Sequence, residues 1–263
     1  MRVGLITGSG TDMLPGLERG SPLEVDTRFG SALLSEGSLA GTDVIHVSRH
    51  GPGHARLSNH VNHRATIAAL QEAEAQAIIA VTVCGALDTE LELGSLIVFD
   101  DLYFLSNRLP DGALCTLHDQ PGVPGRGHWV FERPFSEPLR AALRHGARQT
   151  QCPVRDFGCY GHVDGPRFNT RAEIRMLAGC GVTAVSQTAG PETVLAGEAG
   201  LPYALLGYAT DYANGVSPEP TPVAELVRLV GASTESFAAA LAAALEKLGG
   251  EPPPPTGTVL TFD

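Results

Sequence analysis

The sequence predicts an α/β fold, a single αβα domain with a central mixed sheet flanked by helices, and three observations carry that prediction. Short apolar runs alternate with segments of helical spacing, as happens when helices cover a sheet. The apolar runs are continuous rather than alternating, which marks strands buried on both faces. At 263 residues, the chain is within the range of one large α/β core.

The elements follow in order. Strands are predicted at residues 2–7, 44–47, 77–83, 96–99, 182–186 and 203–209. Helical spacing occupies residues 63–75, 138–149, 171–177 and 193–199. Residues 221–248 are rich in Ala, Leu, Val and Glu and predict a long amphipathic C-terminal helix, stopped by Gly249 and Gly250. Pro252 to Pro255 cannot continue it. Residues 1–248 therefore form the expected domain. Residues 249–263 form a proline-rich tail, expected to be disordered, the alternative being an extended arm on a neighbouring subunit. Residues 107–134 mix Gly, Pro, Asp and His and predict a long excursion of the kind that builds sites or interfaces.

Composition narrows the function. Hydrophobic residues at 43% and charged residues at 18% describe a packed globule. A net charge of −11 argues against a general binder of nucleic acid or anionic membrane, which needs a concentrated basic surface. An anionic ligand must be caught locally. Five cysteines with no CxxC pair, and an N-terminus that opens into a strand, predict a cytoplasmic protein without a signal peptide. Every apolar stretch is broken before the roughly 20 residues of a membrane helix, so a soluble protein is expected.

Polar groups collect just past the strands, where α/β proteins bind ligands. Thr7-Gly8-Ser9-Gly10-Thr11 reads either as an anion-binding loop or as a plain tight turn, since it has no Walker lysine and is one glycine short of the dinucleotide fingerprint. Ser48-Arg49-His50-Gly51 brings a planar guanidinium fork suited to phosphate oxygens; the alternative is a surface Arg with a satisfied His. His54, Asn59, His60, Asn62 and His63 cluster nearby, yet no carboxylate or cysteine completes a metal-ligand set, and no metal is expected. Thr82-Val83-Cys84-Gly85-Ala86 could bind an oxyanion through Thr82 and backbone N–H groups, with Cys84 a small core residue. Ser186 to Glu192 and Ala209 to Asn214 complete the set, and their coincidence implies one site.

Taken together, Gly8-Ser9-Gly10, Val25-Asp26-Thr27 with Phe29-Gly30, Arg49-His50-Gly51, Val61-Asn62, Cys84-Gly85, Gly165-Pro166-Arg167-Phe168, Pro191-Glu192 and Ala209-Thr210-Asp211-Tyr212 resemble the trimeric purine nucleoside phosphorylase family, in its 5′-methylthioadenosine phosphorylase branch. The similarity covers residues 2 to 248. It implies phosphorolysis of a purine nucleoside, most simply 5′-methylthioadenosine, with inorganic phosphate as co-substrate and no cofactor.

Carried over by position, the resemblance assigns phosphate to Ser9, Arg49, His50, Thr82 and Thr188. Asp211 takes the leaving base at N7 and, with His50, the catalytic role. Val83, Cys84, Gly85, Phe168, Gln187 and Ala213 join the substrate site, with Phe168 stacking on the base. His128 matches the residue that the adjacent subunit supplies near the 5′ group, which implies a homotrimer with shared sites. Asp211 and Asn169 stand where enzymes of 6-oxopurines carry Asn and Glu, favouring adenine. Two departures stand against this pattern: Ala213 replaces the branch's usual second Asp, with Asn214 beside it, and Gln187 replaces its usual Met. Val223, Leu226 and Val227 suit an apolar 5′ substituent. The alternatives are a phosphorylase of adenosine, inosine or a modified nucleoside, a nucleoside hydrolase, and a nucleoside-binding protein without catalysis.

Overall fold

A computed structural model describes residues 1–11 and 14–262. The chain opens with β1 (Arg2–Thr7), the hairpin β2 (Glu18–Thr27) and β3 (Gly30–Leu39), then β4 (Thr42–Ser48), α1 (His63–Glu72) and β5 (Ala77–Ala86). Short strands β6 (Leu96–Val98), β7 (Asp101–Tyr103) and β8 (Gly127–Val130) lead to α2 (Glu137–Ala147). There follow β9 (Val154–Arg155), β10 (Cys159–His162), α3 (Arg171–Gly179), β11 (Val182–Ser186), α4 (Ala189–Glu198), β12 (Tyr203–Tyr212), α5 (Val223–Leu248) and β13 (Thr258–Thr261).

The large mixed sheet runs β2-β3-β4-β1-β5-β11-β10-β7, with β12 also on β5 and β6 on β12. Helices cover both faces. β1 shows why: Ile6 faces the core shared with α1 and α4, whereas Val3 and Leu5 face the core shared with α2 and α5. On the second face α2 and α5 touch so closely that a Cβ on Gly146 would collide with the Ala240 carbonyl.

The sheet forks at β5, and the fork positions the site. Along Ile78–Ala80, β5 lies between β1 and β12, both parallel to it. At Gly85 and Ala86 its other neighbour is the antiparallel β11. Between these pairings, at residues 81–84, one side of β5 has no strand partner, so a cavity can open against its backbone.

The structure corrects three expectations. The C-terminal tail is not disordered: its end forms β13 and pairs antiparallel with β8 of the same chain, from Thr258 opposite Val130 to Thr261 opposite Gly127. Second, α4 begins at Ala189 rather than at 193, because Pro191 sits in the first helical turn, where the missing N–H has no intrahelical partner to lose. Third, α5 is long and apolar enough to cross a bilayer by length and composition. Its apolar stripe, including Leu229, Phe237, Leu241 and Leu245, instead packs into the core with α2.

Candidate active site

A cavity of about 420 Å³ opens at the fork, lined from the ends of β1, β4, β5, β11 and β12. It brings together Ser9, Arg49, His50, Thr82, Val83, Cys84, Gly85, Phe168, Gln187, Thr188, Asp211 and Ala213. Of the residues the sequence proposes for the site, His128 and Val223 do not line the cavity, His128 lying on the β8–β13 ribbon.

At the anion end, the loop after β1 is tied by Thr11, whose hydroxyl accepts from the Gly8 N–H at 2.9 Å and donates to the Gly8 carbonyl at 2.8 Å. Gly8 is required because a Cβ there would lie 2.5 Å from Nη1 of Arg49. Arg49 does not present an open fork. Its Nε and Nη2 donate to the two oxygens of Glu192 at 2.6 and 2.8 Å, and Nη1 donates to the Val81 carbonyl at 3.0 Å. Both side chains are only 1% exposed, and a buried guanidinium needs such a counter-ion. Burial alone would lower the Arg49 pKa, but the Glu192 carboxylate outweighs it and the net shift is upward. One N–H on each terminal nitrogen is left for a ligand.

Glu192 also accepts from the Tyr203 hydroxyl at 3.0 Å. The sequence marks Glu192 only as part of a motif; its pairing with Arg49, 143 residues away, has no local signal. His50 shares a hydrogen bond between Nδ1 and the Arg56 carbonyl at 2.9 Å and stacks on His54 at 4.1 Å between ring centroids. Burial, then the Arg49 cation, lowers its pKa to about 4. With Nδ1–H donating to Arg56, the neutral ring leaves the lone pair of Nε2 as an acceptor for a ligand's O–H or N–H. Thr82 donates to the Ser186 hydroxyl at 3.0 Å, and Thr188 stands buried at the start of α4. Behind them His63 and His162 are buried, and burial lowers each to about 3, helped by the Arg49 cation for His63 and by His63 for His162.

At the opposite end, β12 carries an irregularity: Ala209 pairs with Cys84 and Asp211 with Gly85, so Thr210 is the extra residue. This bulge turns the Asp211 carboxyl into the cavity. One Asp211 oxygen accepts from Thr210 at 2.8 Å; the other lies 3.2 Å from where a Gly85 Cβ would stand, so glycine keeps that space open. Burial raises the Asp211 pKa and the Thr210 hydrogen bond only partly offsets it. The same carboxyl, after burial itself, pushes the Cys84 thiol up, so Cys84 is no nucleophile.

Ala213 belongs to an apolar cluster with Ile174, Leu177, Val182 and Val185, which makes this wall of the cavity greasy. Asn214 lines the cavity with its amide nitrogen engaged, donating to the Asn169 carbonyl at 2.7 Å. The Gln187 amide is likewise occupied, accepting from Ser58 at 2.8 Å and donating to the Arg167 carbonyl at 3.1 Å. Phe168 presents an exposed ring at the rim. Leu226, Val227 and Val230 line the far end, whereas Val223, expected there, points to solvent. Ser58, Ser186, Thr210 and Val163 also line the cavity; Ser58 follows no strand and gave no sequence signal. Among the described residues, no three His, Cys, Asp or Glu side chains converge to hold a metal.

Comparison with known proteins fits this geometry. The profile of the phosphorylase superfamily matches residues 2–247. A probable 6-oxopurine nucleoside phosphorylase of Thermococcus kodakarensis is 32% identical over 254 residues, covering 95% of this chain and 94% of that protein. The S-methyl-5′-thioadenosine phosphorylase of Drosophila melanogaster is 34% identical over 216 residues, 81% of this chain and 73% of that protein. The structure of methylthioadenosine phosphorylase from Schistosoma mansoni with adenine superposes with a TM-score of 0.86 at 28% identity, over 95% of this chain and 92% of that one. With the matched profile spanning nearly the whole chain and the cavity placed at the sheet fork, the protein belongs to the phosphorylase superfamily.

Proposed function

We propose that the chain catalyses phosphorolysis of a purine nucleoside, 5′-methylthioadenosine in first place, giving adenine and 5-methylthioribose 1-phosphate. One observation carries this reading: a single cavity joins an anion end, built from Ser9, Thr82, Thr188, Arg49 and His50, to an end capped by the buried carboxyl of Asp211. Phosphate held at the first end attacks C1′ of the sugar. The C1′–N9 bond breaks with its electron pair passing to the purine, and a C1′–O bond to phosphate forms. The sugar is oxocarbenium-like in between, and the adjacent phosphate stabilises that charge. Asp211 hydrogen-bonds or protonates N7 as negative charge builds on the base, a role its raised pKa suits. Phe168 stacks on the ring, and Leu226, Val227 and Val230 receive the methylthio group.

The backbone of Val83, Cys84 and Gly85 lies along the substrate, and Gln187 braces the floor through Ser58. The functional unit is a homotrimer in which His128 reaches the neighbouring site, formed by residues 1–248 and working in the cytoplasm in purine salvage. Phosphate is the only co-substrate, with no cofactor, nucleic acid or membrane involved. The apolar wall at Ala213, together with the 6-oxopurine phosphorylases among the relatives, gives a second reading, in which inosine is accepted.

Release of free base from methylthioadenosine, adenosine and inosine, each with and without phosphate, tests all of this. Phosphate-dependent adenine release, fastest from methylthioadenosine, is expected. Faster release from inosine selects the second reading, and phosphate-independent release from any of them refutes phosphorolysis in favour of hydrolysis.

A further inference from the structure

Thr188 stands at the N-cap of α4, where a threonine hydroxyl ordinarily folds back to accept from the second or third amide of its helix. Here the Thr188 side chain makes no capping hydrogen bond. Pro191 holds the third helical position and has no N–H to offer, and Thr188 lines the cavity instead.

The amides that open the helix are satisfied from another strand. The Tyr160 hydroxyl accepts from the Ala189 N–H at 3.1 Å and, at a longer 3.4 Å, from the Thr188 N–H. Tyr160 lies on β10 and pairs with Ala184 of β11, the strand that runs on into α4. Its side chain is held in place. β10 is flanked by β7 and β11, the ring is edge-on to Phe99 at 5.3 Å, and the residue is fully buried. Burial also raises the pKa of the hydroxyl, which therefore stays protonated and neutral. Tyr160 itself does not line the cavity.

The amides at a buried helix start need acceptors, because leaving them bare costs their full desolvation. Three groups could serve here: the Thr188 hydroxyl, a bound anion, or a side chain reaching in from behind. Tyr160 is the third, and its contact relieves the other two of the task.

We propose that Tyr160 is a positioning residue for phosphate: its hydroxyl caps α4 in place of Thr188 and so frees the Thr188 hydroxyl to donate to a phosphate oxygen. The assignment rests on the phosphorolytic reading given above and adds to it a residue behind the cavity wall. Without the Tyr160 hydroxyl, the Thr188 side chain turns back onto the helix amides, and the anion end loses a donor.

The test measures kcat and separate KM values for phosphate and for the fastest nucleoside of the release assay, in wild type, Tyr160→Phe, Thr188→Ala and the double variant. Tyr160→Phe keeps the ring and removes only the acceptor. Its phosphate KM rises about tenfold, while the nucleoside KM stays within about twofold of wild type. The double variant is no worse toward phosphate than Thr188→Ala alone, because Tyr160 acts through Thr188. A general loosening of the fold would instead raise both KM values, lower kcat and add to the effect of Thr188→Ala; that result overturns the proposal. An unchanged phosphate KM in Tyr160→Phe beside a raised one in Thr188→Ala does the same and leaves the anion end standing. An unchanged phosphate KM in Thr188→Ala removes Thr188 from the anion end, and the proposal falls with it. Wild type supplies a readout that depends on no variant: the Ala189 amide is protected from hydrogen exchange equally with and without inorganic phosphate. Protection that arises only with phosphate means that the anion, not Tyr160, caps the helix, and overturns the assignment.

Discussion

Glu192→Ala strikes the most heavily coupled point in the molecule. The carboxylate accepts two hydrogen bonds from Arg49 and one from Tyr203, at 2.6, 2.8 and 3.0 Å, and all three side chains are essentially sealed from water. Removing it leaves a guanidinium buried without a counter-ion, which costs about 3–5 kcal/mol, and a buried Tyr203 hydroxyl without its acceptor, which adds about 1–3 kcal/mol. Against a total stability of roughly 5–15 kcal/mol, the variant loses about a quarter or more of what holds it folded. Arg49→Met/Glu192→Leu removes both charges and fills the space with apolar groups, so it recovers most of the loss while the anion end of the cavity loses its cation. Urea titration of wild type, Arg49→Met, Glu192→Leu and the double variant, with Glu192→Ala beside them, at one protein concentration measures the cycle by linear extrapolation. A coupling energy of at least about 2 kcal/mol is expected, with a phosphate KM that stays raised in the double variant. A Glu192→Ala cost below about 1 kcal/mol, or additive single variants, would refute the reasoning.

Three further outcomes are expected. Asp211→Asn lowers kcat by at least about two orders of magnitude, and it melts higher at neutral pH: the raised pKa means that the folded state holds this proton more tightly than the unfolded one, so wild-type stability falls as pH rises above the ordinary carboxylate range. Undiminished kcat removes Asp211 from the chemistry. His63 and His162, lowered to about 3 from an ordinary 6.5, stay neutral when folded but take up protons when unfolded. Stability therefore drops as pH falls from 6.5 toward 3, and His162→Phe reduces the slope between roughly pH 4 and 6 by about 1.4 kcal/mol per pH unit; an unchanged slope in acid urea titrations contradicts the burial argument. Gly146→Ala forces α2 away from the Ala240 carbonyl and costs about 1–3 kcal/mol, read as a lower urea midpoint, and a midpoint at or above wild type would mean that the two helices part easily.

The parts of this fold written in the sequence are those whose environment is uniform. Runs such as 77–83 are buried on both faces and carry that fact in composition, so β1, β4, β5, β11 and β12 were legible, and with them the polar strand ends that line the cavity. The hairpin of β2 and β3 was not, because Glu18–Thr27 is almost wholly open to solvent and its Pro, Gly and Asp read as turn residues. β13 was hidden by the prolines before it: they exclude helix but say nothing of a strand that finds its partner 128 residues earlier, at Val130. In the site, residue types were legible and their partners were not. Arg49 signalled an anion, yet only the fold shows that Glu192 already occupies most of its fork. Gln187 and Asn214 looked available for substrate, and both amides turn out to be tied to the backbone of the 165–170 loop.

The irregularity in β12 bears on how this protein can change. Up to Ala209 every residue of the strand is locked in register with β5 and sealed in the core, so a substitution there is a matter of survival. Past Thr210 the ladder has already absorbed one surplus residue, and Asp211, Ala213 and Asn214 border the cavity. The boundary between sealed scaffold and cavity wall is thus one residue wide. Substitutions downstream of it reshape the cavity wall, while the buried strand upstream stays as it is.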